Sequence, residues 1–165
     1  MEHHHGASGP DWLMALEHSG VGEAMRQSLW IYPAVNVLHV LAAGVLIGAV
    51  LGFDLRLLGV GGRMPVAPLA SLLVPMAAAG VAVAMLSGVL LFVADATTLA
   101  ANPVFPVKMS LIAVGLANVA VFHAGALRGI EAWGSRVPGT ARVAAVVSLT
   151  AWLGTAAAGR LIAYF

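Results

Sequence analysis

Four long apolar stretches dominate the chain, at about 34–53, 69–94, 109–127 and 143–163. A helix crossing the bilayer needs about 20 mainly apolar residues, so each stretch predicts one membrane-spanning α-helix. Turn-forming clusters separate them. Gly59, Gly61, Gly62, Pro65 and Pro68 follow the first, Asp95, Asn102, Pro103 and Pro106 the second, and Gly134, Pro138 and Gly139 the third. All three connections are short, which predicts antiparallel neighbours. Pro75 falls inside the second span and predicts a bend. Residues 11–29 read differently. Trp12, Leu13, Leu16, Val21 and Met25 alternate with Asp11, Glu17, His18, Glu23 and Arg26, the pattern of an amphipathic helix on the membrane surface, with a break near Gly20 and Gly22. The expected architecture is all-α: a flexible His-rich N-terminus at 1–10, an amphipathic surface helix at 11–29, and an integral four-helix bundle at 30–165.

Composition supports one membrane domain. Hydrophobic residues make up 61% of the 165 and charged residues only 9%, against about 25% charged in soluble domains. A water-soluble enzyme and a nucleic-acid-binding protein are thereby excluded. The absence of cysteine removes disulfides, iron–sulfur clusters, thiolate zinc sites and c-type haem attachment. The first span begins about 30 residues in with no basic segment before it, and so predicts an uncleaved signal anchor. Let side A be the N-terminal side of the bundle. Arg56, Arg63, Arg128, Arg136 and Arg142 then collect on side B, and Arg26, Lys108 and Arg160 on side A. Five against three predicts side B as cytoplasmic and both termini outside.

Small residues recur every four positions at Gly44, Gly48 and Gly52, and at Gly80, Ala84 and Gly88. Such stripes allow close helix approach, within the bundle by preference or between subunits of a homo-oligomer. Chemistry centres on intramembrane histidines, because ionisable groups there are costly and usually functional. His39 lies near side A. His123 lies near side B, roughly 14 Å away along the membrane normal, so the pair is not expected to clamp one iron. Asn36, Lys108 and Arg160 share the side A level with His39, and Met85 falls at a similar depth. Met76 accompanies His123, with Asp54 and Arg56 nearby. His, Met and a propionate-pairing Arg or Lys are haem-site chemistry. The plainer alternatives are a helix–helix hydrogen bond for each histidine, snorkelling for Lys108 and Arg160, gap-filling for the methionines, and a boundary ion pair with headgroups for Asp54 and Arg56. At the N-terminus, Met1-Glu2-His3 could wrap Cu(II), with a tag remnant as the alternative. Nucleophile-elbow, phosphate-loop and zincin motifs are missing.

The segment 28–33 followed by His39, the run Ala94-Asp95-Ala96, Asn102-Pro103-Val104-Phe105 with Lys108, Asn118 with Phe122-His123, and the ending 159–165 resemble a small bacterial family of four-span inner-membrane proteins without an assigned function. More distantly, the layout is similar to the membrane domain of copper-resistance protein D and to the four-helix haem-containing protoporphyrinogen oxidase. Both likenesses rest on a histidine early in the first span and a lysine opening the third, here His39 and Lys108. The resemblance implies a multi-pass protein of the bacterial inner membrane, and the basic-residue bias then makes both termini periplasmic. The leading expectation is a b-type cytochrome or haem-dependent redox protein near the outer face, exchanging electrons with a quinone or a periplasmic carrier. His39 would ligate haem b, Lys108 and Arg160 would pair its propionates, and His123 would serve a second haem or site. The alternatives are a copper-binding or copper-transporting membrane protein and a cofactor-free accessory subunit.

Overall fold

The computed structural model describes residues 10–133 and 136–165. These residues form helices and turns, with no strand among them. Two short helices, α1 (Asp11–Glu17) and α2 (Gly20–Gln27), precede α3 (Ile31–Leu57) and α4 (Val66–Ala94). A single turn and a half, α5 (Ala96–Ala101), leads into α6 (Phe105–Ala124). A 3₁₀ stretch, Ala126–Trp133, precedes α7 (Gly139–Leu161). α3, α4, α6 and α7 are each long and apolar enough to cross a membrane. The protein is a multi-pass membrane protein built on a four-helix bundle.

The helices extend past the apolar stretches because their ends are held by local chemistry. At side B, α3 turns into α4 through Gly59 and Gly61, whose φ values of 112° and 65° suit only glycine without strain. The Arg56 guanidinium closes that loop. Its Nε–H donates to the Met64 carbonyl at 2.7 Å, and Nη2 donates to the Gly62 carbonyl at 3.3 Å. Asp54 and Arg56 are both 5% exposed, so the expected boundary ion pair with headgroups is not their arrangement. Pro65 and Pro138 stand just before α4 and α7, where a missing N–H is harmless. Gly125 departs from helical geometry (φ −113°, ψ −93°) and ends α6 at Ala124.

At side A, α1 and α2 dock on the junction of α4 and α5. The break falls at His18–Ser19 rather than at the expected glycines, because Ser19 caps α2 by accepting from the Gly22 N–H at 3.3 Å. Gly22 is buried inside α2. Glu17 Oε1 accepts from Thr97 N–H at 2.7 Å and from the Thr97 hydroxyl at 2.8 Å. These bonds, the backbone one foremost, hold its carboxyl below the usual glutamate range. Arg26 donates to the Ala94 carbonyl at the end of α4 and to the Glu17 carbonyl. The amphipathic segment is thus pinned to the bundle through Leu13 and Met25, both buried.

Within the bundle, α3 packs along α4 and α7, and α6 packs along α7. The side B core gathers Phe53, Leu57, Val66, Ala70, Phe122, Ala141 and Ala145. Phe122 meets Phe53 edge-on at 6.0 Å and Trp133 at 6.5 Å. At side A, Phe92 of α4 stacks on Phe105 of α6 at 5.4 Å. The two glycine stripes part company. Gly80 sits backbone to backbone against Ala42 and Leu46 of α3. Gly44 and Gly48 are exposed and have open space beside them, so the preferred internal role fails for those two residues.

Candidate functional site

Near side A, all four spanning helices contribute to one polar cluster. His39 comes from α3, Ser87 and Gly88 from α4, Lys108 from α6 and Gly159 from α7. The Ser87 hydroxyl donates to the Val83 carbonyl at 2.6 Å, which commits its only proton. Its contact with His39 Nδ1 at 3.0 Å is therefore an Nδ1–H donation to Ser87 Oγ. That fixes the imidazole and leaves Nε2 with its lone pair. Gly88 and Gly159 make the room. A Cβ on Gly88 would come within 3.2 Å of His39 Cε1, and one on Gly159 within 3.5 Å of Lys108 Nζ. His39 and Lys108 are both half-buried.

The other residues expected at the two histidine sites are exposed. Arg160 is exposed, with Nη2 donating to the Tyr164 hydroxyl at 2.9 Å and its guanidinium over the Tyr164 ring at 5.0 Å. Asn36 is exposed. Met85 is 39% exposed and lies two residues from Ser87, hence on the opposite side of α4. Met76 is similarly exposed. His3 lies outside the described residues.

His123 belongs to a different level. Its neighbour Phe122 meets Phe53, which is fourteen residues beyond His39 on α3, roughly 21 Å along the helix. The His123 Nδ1–H donates to the Val119 carbonyl of its own helix at 2.8 Å. The ring borders a cavity of about 170 Å³ between α3, α4, α6 and α7. The cavity is lined mainly by aliphatic and aromatic side chains, with Asp54, Ser148 and Trp152 among them. Asp54 Oδ2 has no hydrogen-bond partner, and neither has the Trp152 indole Nε1.

With this geometry in view, the chain can be set against known families. It belongs to the DUF6644 family. That family of unknown function matches residues 17–165, from the last residue of α1 through α2 and all four spans. No curated protein and no solved structure matches the chain. The matched region spans His39, Ser87, Lys108 and the cavity residues, and the family assigns chemistry to none of them.

His39 and Lys108 stand out in the sequence as ionisable groups at this level, whereas the places of Ser87, Gly88 and Gly159 beside them come from the packed helices. Ser87 carried a usable signal, being a hydroxyl within an otherwise apolar span at the level of His39. Trp152 carried one too. It is the aromatic set away from the span ends, where an interfacial role is excluded.

Proposed function

We propose that the protein is a b-type haem protein of the inner membrane, with His39 as an axial ligand and Lys108 pairing a propionate. The observation that carries this reading is the Ser87 contact. A ligating histidine characteristically donates its second ring nitrogen to a fixed acceptor, which sets the tautomer and the ring plane, and His39 Nδ1 does so at 3.0 Å. Haem also suits an isolated imidazole. Among the described residues no group of three or more His, Cys, Asp or Glu side chains could hold a metal ion, so a bare copper ion would lack ligands there. A porphyrin brings four nitrogens of its own. When bound, haem would supply one-electron chemistry. The chain's own work is to orient one nitrogen, place a cation beside it and exclude water. Arg160, held by Tyr164, takes no part. The basic-residue bias supports both termini outside the cytoplasm, which puts this cluster toward the outer face. A quinone or a periplasmic carrier would be the electron partner.

The test is an absorption spectrum of the full chain purified from haem-replete cells, oxidised and reduced. A Soret band that sharpens on reduction and vanishes in His39→Ala supports the reading. Ser87→Ala should keep the band but release haem faster. Haem-free protein, or a band indifferent to His39→Ala, overturns it.

A further inference from the structure

The side B cavity is independent of the His39 cluster, and it too is built for a ligand. We propose that it takes the headgroup of a membrane-dissolved monocyclic quinone or quinol, entering sideways from the bilayer between α4 and α6.

Size sets the first limit. A dry apolar cavity of about 150 Å³ accepts benzene, so about 170 Å³ holds one substituted ring. Access sets the second. The residues that α3 and α7 contribute to the lining are almost all buried, whereas Ala78 of α4 and Leu116, Val119 and His123 of α6 are exposed. The mouth therefore lies between α4 and α6, which pack on α3 and α7 rather than along each other. The lining runs from Leu46 to Leu57 on α3, within the spanning helix. An occupant must come from the hydrocarbon, uncharged and largely apolar.

Polarity sets the third. Asp54 and Trp152 both line this space; they are 5% and 3% exposed, and each holds a buried polar atom without a hydrogen-bond partner. A six-membered ring with oxygens at opposite corners offers one oxygen to each. The Trp152 N–H donates to one oxygen. The Asp54 carboxyl serves the other in either oxidation state, accepting from a quinol hydroxyl when ionised and donating to a quinone carbonyl when protonated. An acyl chain would fill the volume and leave both groups unpaired. The Arg56 guanidinium is committed to the loop carbonyls and does not compete for Asp54.

The experiment titrates decyl-substituted benzoquinone into the full chain in phosphatidylcholine nanodiscs and follows tryptophan fluorescence, which quinones quench. Saturable quenching is expected, lost in Trp152→Phe while collisional quenching of the other tryptophans persists. Asp54→Asn should weaken the midpoint by about tenfold. Ala78→Leu, at the exposed mouth, should slow binding without touching either polar group and does not depend on core folding. Decylbenzene, with the same ring and tail but no oxygens, should fail to compete. Only linear quenching, equal competition by decylbenzene, or an unchanged midpoint in a folded Asp54→Asn protein would each overturn the proposal.

Discussion

Gly80→Ala should separate α3 from α4, and its cost can be worked from the contact it makes. A Cβ at Gly80 would lie 2.8 Å from the Leu46 backbone nitrogen, 3.0 Å from the Ala42 carbonyl oxygen and 3.1 Å from Leu46 Cα. All three are backbone atoms of another helix, so no side chain can swing aside. Reaching 3.4 Å, where ordinary contact begins, requires the helices to part by about 0.6 Å. A gap of that size forfeits a quarter to a half of each affected dispersion contact, and lipid supplies no hydrophobic drive to restore the interface. Overpacking of this kind costs about 1–3 kcal/mol. The better helix propensity of alanine returns about 1 kcal/mol, leaving a net loss of about 0–2 kcal/mol. Gly48→Ala is the control. It meets nothing within 4 Å and should be neutral or slightly stabilising. Unfolding in mixed micelles of increasing dodecyl sulfate, followed by circular dichroism, measures both. Equal midpoints for the two variants would refute the backbone-contact argument.

Three further outcomes follow from other parts of the molecule. The Glu17 carboxyl is held below its ordinary 4.5 by the Thr97 donors. The stability it lends the docked N-terminus is thus fully present above that value and is lost as pH falls through the lower folded value. Amide exchange of residues 11–27 should accelerate in that window, and Glu17→Gln should remove the pH dependence. Arg56→Ala breaks two buried charge-assisted bonds of the α3–α4 loop, at a cost of about 2–3 kcal/mol. Lysine, with one ammonium in place of the forked guanidinium, should not rescue it, and a wild-type midpoint for Arg56→Lys would contradict the loop-closing role. Reporter fusions after Phe165 should be active only outside the cytoplasm, and activity of a cytoplasm-only reporter would move the His39 cluster to the inner face.

The order of elements was legible in the chain itself. Apolar length alone marks four spans, because a bilayer of fixed thickness demands it, and proline and glycine mark the breaks, because their backbones cannot continue a helix. The polar alternation of 11–29 likewise announced a surface segment. Which face of each span looks inward was not legible. Lipid is as apolar as a protein core, so an interior residue and a lipid-facing residue leave the same trace in sequence. Only the packed bundle separates Gly80, pressed on α3, from Gly48 in the open. Only packing turns Met85 away from His39 and brings Ser87 to the imidazole. Asp54 shows the limit most plainly. In sequence it sits at the edge of a span and reads as a headgroup partner, whereas α7 and α4 close over it and make it a buried carboxyl facing a cavity. A contact between helices far apart in the chain decides that, and no local pattern of residues encodes it.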